Sequence, residues 1–396
     1  MSNTQAATKQ PKKRLLALDI LRGITVAGMI LVNNPGSWGK IYAPLSHAQW
    51  NGLTPTDLVF PFFMFIMGIS TYFSLRKYDY KLTGECFKKI VKRTVLIYFI
   101  GLFLAWFGLF LRGALSDKTL YEAAFTFDHI RMLGVLPRLA LCYGFGSVIA
   151  LLIPKRALPW TIFGMLAVYT VILLLGNGYT FADTNVIYIV DNAVFGPNHL
   201  YTDFVDGQRL HLDPEGLVST LPSIAHMLIG FFCGGLIMST KDNNLRINKL
   251  FIVGTILTFT GFLLSYGLPL NKKIWSPTFV LTTCGLASSF LGLLIWIIDI
   301  KGYKRWTTFF EVFGVNPLFL FCASGVFANI FGSLRLPWSA AESGTITLKN
   351  LIYQEALIPL CGGDATMASC FFAIFFVLFN WVLGYFLYRK KIYIKI

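Results

Sequence analysis

Residues 46–68 read SHAQWNGLTPTDLVFPFFMFIMG: a histidine among polar and aromatic residues, two prolines, then an apolar run that continues to residue 75. A segment of about 20 apolar residues without charge matches the hydrocarbon thickness of a bilayer, so 57–75 reads as a membrane span. Similar runs recur along the chain. Segments such as LFLAWFGLFL (102–111) are apolar on every side, which is helical membrane patterning and not the apolar–polar alternation of a barrel strand. Of 396 residues, 55% are hydrophobic and 13% charged, with a mean hydropathy of +0.63, far from a soluble domain. The predicted fold is an all-α polytopic membrane helix bundle of about ten spans: 17–34, 57–75, 94–112, 134–153, 159–176, 219–238, 249–268, 277–298, 307–333 and 367–388.

An even number of spans puts both termini on one side. The connections on that side hold 23 Lys and Arg residues, and those on the other hold 9. The positive-inside rule therefore predicts cytoplasmic termini and explains most of the net charge of +15 as topology, with no nucleic-acid partner. Residues 1–16 read as a disordered cytoplasmic tail without the apolar core of a signal peptide, 17–390 as a single transmembrane domain, and 391–396 as a second short tail. Three external connections are long, 35–56, 177–218 and 334–366, and long loops usually carry function. All five histidines fall in external regions or just inside a span that begins there.

Of these, His47 is the leading candidate, since imidazole accepts a proton near pH 7 or attacks as a nucleophile, although a lone loop histidine is more often a surface or interface residue. Trp50 and Asn51 offer a stacking face and an amide, a combination suited to sugars, while Trp50 also suits an interfacial anchor. Asp57 begins the next span as either a functional carboxylate or a helix cap. Asp19 and Arg22 share a helix face three residues apart, for an ion pair or for a phosphate-bearing ligand. Asn33 and Asn34 precede Pro35 and Gly36, a break that leaves polar groups to face a cavity. Arg131 stands at the external edge of the fourth span and Arg138 inside it, where an arginine faces a partner or a water-filled cavity. Asp213 and Glu215 precede the sixth span as candidate ligands for an amine or as a turn and helix start. Asn316 and Pro317 interrupt the ninth, where a kink and an amide serve a cavity or helix packing. The seven cysteines form no disulfide framework or zinc spacing, and the phosphate-loop, H-E-x-x-H and paired C-x-x-C motifs are missing, so no metal is expected.

Taken in order, LDILRGITVAGMILVNN, HAQWNGLTPTDLVFPFFMFIMG, RMLGVLPRLALCY, DPEGLVSTLPSIAHMLIGFFCG and NKKIWSPTFVLTTCGLASS resemble the membrane part of the heparan-α-glucosaminide N-acetyltransferase family and its bacterial homologues. The resemblance implies a transmembrane acyltransferase that uses cytosolic acetyl-CoA as co-substrate to acetylate the amine of a glucosamine-type sugar or glycan across the membrane. With no large soluble domain ahead of the first matching span, the chain looks like a bacterial inner-membrane form. Some relatives carry the label of amino-sugar transporters, so a carrier is the alternative, as is an O-acyltransferase of a cell-envelope glycan. The family's active-site histidine matches His47, and its asparagine matches Asn33, with Asn34 next to it. On that basis His47 would act as base or acetyl carrier, Asn33 would orient the imidazole or meet the oxyanion, and Asp57 would fix the histidine tautomer. Arg22, Lys92 and Arg93 would receive the CoA phosphates, Arg138 would line the path of the thioester arm, and Trp50, Asn51, Asp213 and Glu215 would meet the sugar. A homodimer would suit such a bundle.

Overall fold

The computed structural model describes residues 15–116, 118–339 and 344–394. Within them, nine helices are long and apolar enough to cross a membrane, and one bent pair makes a tenth candidate. The helices are α1 (Leu16–Asn33), α2 (Val59–Leu75), α3 (Gly84–Ala114), the short α4 (Leu120–Ala124), α5 (Val135–Leu152), α6 (Leu158–Leu175), α7 (Val186–Phe195) and α8 (Thr220–Ser239). They continue with α9 (Asn243–Leu264), α10 (Pro277–Leu294), α11 (Thr307–Val315), α12 (Pro317–Ser333), the one-turn α13 (Leu348–Asn350) and α14 (Ile358–Leu360), and α15 (Ala365–Arg389). The result is an all-α polytopic bundle. The expected tail 1–16 lies almost wholly outside the described residues.

Ordinary local chemistry sets the helix starts. Thr83, Asp242 and Ser276 each cap a span by accepting a backbone N–H three residues on, and Pro277 fits the first turn of α10, where no backbone donor is needed. Asp364 accepts from Thr366 and Met367 at the head of α15. In lipid, helices associate through close packing and not through exclusion of water, so small residues mark the seams. A side chain at Gly68 or Gly230 would collide with the facing backbone across the α2–α8 contact, and Gly254, Gly261 and Gly285 serve the α9–α10 contact in the same way.

The ninth span departs from expectation. Residues 307–333 form two helices bent by 86° at Asn316, not one kinked span. The tertiary setting explains the break. Gly23 and Gly314 bring α11 against α1 at backbone distance, and Trp381 Nε1 donates to Phe309 O. The amide of Asn316 donates to Ile392 O and accepts from Ile394 N, each at 2.8 Å, so it serves chain packing and not a cavity. These contacts join the start of α1 and the end of α15 on one side, called here the termini face. From it α12 alone, about 25 Å long at helical rise, runs to the far face, where Phe331 packs on Phe376.

The long connections hold structure of their own. Residues 177–218 contain α7 and the hairpin β1 (Asp203–Val205) to β2 (Gln208–Leu210), closed by Asp206 and Gly207 at positive φ, as a tight hairpin turn demands. Residues 334–366 contain the hairpin β3 (Arg335–Pro337) to β4 (Thr345–Thr347) and a stretch of π-helix, Leu351–Leu357. At the end of α1, Gly36 and Ser37 donate to Ser369 of α15, which ties loop 35–56 to the bundle.

Candidate active site

On the far face, a cavity of about 550 Å³ is lined by Asn33, His47, Asp57, Arg131, Glu215 and Lys272 among others. Its reactive centre grows from the short helical turn Pro55–Leu58 that leads into α2. There Thr54 and Asp57 form a reciprocal capping box, which fixes the Asp57 carboxylate in one place. Asp57 Oδ2 accepts from Thr54 N, Thr54 Oγ1 and Ala48 N at 3.0–3.1 Å. The other oxygen, Oδ1, lies 2.7 Å from His47 Nδ1. Asp57 is buried, whereas the His47 side chain is 38% exposed to the cavity. An ionised carboxylate only accepts hydrogen bonds, so Nδ1 carries the proton and the Nε2 lone pair is left for chemistry. Asp57 is therefore both the cap of this turn and the hydrogen-bond partner of His47.

Asn33 and Asn34 part company in the fold. The Asn34 amide turns back to Ile30 O at 2.7 Å, whereas Asn33 is exposed on the cavity wall. Glu215 also faces the cavity, and Asp213 stands behind it: Arg131 binds Asp213 through Nε and Nη2 and reaches Glu215 Oε2 with Nη2. Burial works against the Arg131 charge, but the two carboxylates more than offset it and raise the guanidinium pKa. Trp50 and Asn51 are not among the lining residues. The Trp50 indole donates to Tyr179 O and meets the Phe181 ring edge-on, while Asn51 Oδ1 accepts from Asn271, so both hold the loop in place.

Sequence reading missed Lys272, Lys273, Tyr201 and Asp203. Lys272 Nζ stands 3.0 Å from His47 Nδ1, 3.3 Å from Nε2 and 3.5 Å from Asp57 Oδ1. Lys273 pairs with Asp203 at 2.6 Å, and the Tyr201 ring covers the Arg131 guanidinium. The sequence signal for the lysines was the pair in NKKIW, counted on the external side, and that for Tyr201 and Asp203 was their place in the long connection 177–218.

The termini face carries a second cavity, of about 390 Å³, lined by Arg22, Lys77, Lys89 and Arg93 with no carboxylate among its described lining residues. Arg22 is held by Asp19 at 2.9 Å and Ser70 at 2.8 Å, and Arg93 lies over the Tyr143 ring. Lys92 falls on another face of α3, in an apolar groove with Phe87, Val95 and Phe99, away from this vestibule. Arg138 does not line a path. It is fully buried and donates to Pro214 O, Gly216 O, Ser219 O, Ser219 Oγ and Ser223 Oγ, which pins the turn before α8.

Both cavities share the walls of α1, α2 and α5. Val59, Phe60 and Val135 line the far one, and Phe63, Ile66 and Leu139 the near one. Along α2 and α5 they are therefore separated by about one helical turn, roughly 5 Å. Among the described residues, no group of three or more His, Cys, Asp or Glu side chains is placed to hold a metal ion.

Comparison with known proteins identifies the family. A family model described as heparan-alpha-glucosaminide N-acetyltransferase, catalytic, matches residues 14–268, which include α1 to α9 and therefore His47 and Asp57. The chain is 28% identical over 445 residues to the heparan-alpha-glucosaminide N-acetyltransferase of Homo sapiens, covering 97% of this chain and 60% of that protein. The Mus musculus protein of the same name gives 28% over 439 residues with the same coverage. The chain thus spans about 60% of the length of these curated relatives. With a matched region that covers most of its membrane helices, the chain belongs to the heparan-alpha-glucosaminide N-acetyltransferase catalytic family.

Proposed function

We propose that this protein is a transmembrane acetyltransferase: acetyl-CoA enters the basic vestibule from the cytosol, and the acetyl group passes to the amine of a glucosamine-type sugar in the far cavity. The observation that carries this reading is the His47–Asp57 pair on the wall of one cavity, about one helical turn from a second cavity whose wall carries Arg22, Lys77, Lys89 and Arg93. Arg22, Lys77, Lys89 and Arg93 suit the phosphates of CoA, and the apolar turn around Phe63 and Leu139 suits its thioester arm. Glu215 and Asp203, each already paired with Arg131 or Lys273, keep further acceptor capacity for the amine and hydroxyl hydrogens of a sugar.

Chemically, His47 Nε2 removes the proton from the acceptor amine as that amine attacks the acetyl carbonyl, or attacks first itself and hands the acetyl group on. Asp57 keeps the proton on Nδ1 in either route. Asn33 lies on the same wall to orient the ring or meet the oxyanion. The bacterial inner membrane is the setting this reading implies.

Purified protein in proteoliposomes, supplied with radiolabelled acetyl-CoA and glucosamine, tests the reading. Labelled N-acetylglucosamine should form with the wild type and disappear in His47→Ala. Accumulation of labelled sugar without acetyl-CoA, and with no acetylated product, would instead identify a carrier.

A further inference from the structure

Among the described residues, Lys272 is the one cation in direct contact with both members of the His47–Asp57 pair. It comes from the turn between α9 and α10, 225 residues from His47 in sequence, and its side chain is mostly buried at the cavity wall. Asn271 fixes that turn: its backbone N–H donates to Ser276 Oγ, and its side-chain carbonyl accepts from Ile274 N. The position of Nζ is informative. The lone-pair axes of the two imidazole nitrogens lie in the ring plane and diverge, so one atom 3.0 Å from Nδ1 and 3.3 Å from Nε2 sits against the ring, off both axes. Lys272 therefore leaves the Nε2 lone pair open to the cavity and keeps its own N–H groups beside the place where Nε2 reacts. Asp57, at 3.5 Å, anchors the ammonium there.

We propose that Lys272 is a catalytic residue of the acetyl transfer, donating a hydrogen bond to the acetyl oxygen as it becomes an oxyanion. This assignment rests on the transferase reading above. In the direct route, the acceptor nitrogen forms a bond to the carbonyl carbon, the C=O π pair moves onto oxygen, and the Lys272 N–H holds that charge. The pair then returns, the C–S bond breaks, and CoA leaves as a thiolate. His47 Nε2 takes the amine proton and passes it to the thiolate. In a double displacement, Nε2 adds first and the C–S bond breaks to release the thiolate. The amine then adds to the acetyl-imidazole, and the C–Nε2 bond breaks. The freed Nε2 passes the amine proton to the thiolate, and the same oxygen is stabilised in both halves. A preorganised donor aimed at developing charge is among the strongest single contributions to such a reaction. Burial pushes the Lys272 pKa down against the pull of Asp57, which makes its ammonium a more acidic donor than a surface lysine.

The test uses the full chain in proteoliposomes with saturating acetyl-CoA and glucosamine, comparing wild type, Lys272→Met and Lys272→Arg, alongside calorimetric binding of CoA. Lys272→Met should lose about 10²–10³-fold in kcat with CoA affinity unchanged, and Lys272→Arg should recover a large part of that loss. A kcat near wild type in Lys272→Met overturns the assignment and leaves the transferase reading intact. Equal loss of kcat and CoA binding in both variants makes Lys272 structural and also overturns it. Absence of any acetylated product from the wild type removes the transferase reading itself, and the Lys272 assignment with it.

Discussion

The two cavities are built on the same helices and differ in how their charges are satisfied. In the far cavity, cations are matched within the protein: Arg131 to Asp213 and Glu215, Lys273 to Asp203, Lys272 to Asp57. Around the near vestibule, Arg22 leans on Asp19 and Glu85 acts on Lys77 and Lys89 from outside the lining, yet among the described residues no carboxylate joins Lys77, Lys89 and Arg93 on the wall itself. A matched set of charges holds groups at fixed positions, which suits chemistry. An unmatched set of one sign attracts a ligand of the other. If the proposed function holds, this difference separates reaction from docking, and mutations on the two sides should divide along that line.

The largest effect is expected at the reaction centre. His47→Ala should lower kcat for acetyl transfer by about 10²–10⁴-fold while CoA still binds, as followed by product formation and calorimetry. Asp57→Asn should cost about 10²-fold or more in kcat, because Nδ1 would lose the acceptor that fixes the tautomer. On the opposite side, Arg93→Glu should raise KM for acetyl-CoA by about tenfold and flatten its salt dependence, with the KM for sugar unmoved. Should the sugar KM move instead, the division between the cavities fails.

A stability prediction sharpens the contrast. Arg131→Ala would leave Asp213 buried beside Glu215 without its cation, and should destabilise the fold by about 3 kcal/mol, the low end for a broken buried pair because the guanidinium is part exposed. Thermal unfolding in detergent measures this. The smallest effect concerns Asp191, whose carboxyl burial pushes up to about 7. The unfolded chain releases that proton near pH 4 and the folded chain only near pH 7, so this group's contribution to stability falls as pH rises through that window. Asp191→Asn should flatten that part of the pH–stability profile and leave the vestibule's CoA affinity unchanged.

Much of this was legible in the sequence because it depends on local pattern. Span positions follow from the length of apolar runs, and the pairing of His47 with Asp57 joins residues ten apart within one loop and one turn. Long-range partners were not. Lys272 lies in a different connection from His47, and no periodicity links them. Arg138 reads as an intramembrane charge in search of a partner, but that its partners are carbonyls and hydroxyls of residues 214–223, and not a ligand, depends on how α5 meets α8. Pro317 signals a kink, whereas the size of the 86° bend comes from the packing of α11 on α1 and the grip of Asn316 on residues 392–394. Neighbours one residue apart also diverged: Arg93 faces the vestibule and Lys92 does not, since successive residues on a helix point about 100° apart.

The central claim is that a donor docks on the termini face and an acceptor is modified on the far face. Proteoliposomes of known orientation, given acetyl-CoA on one side only and radiolabelled glucosamine on the other, measure this directly. Acetylated product is expected only when acetyl-CoA is on the termini face and the sugar is on the far face. Product that forms only when both substrates share one side would contradict it.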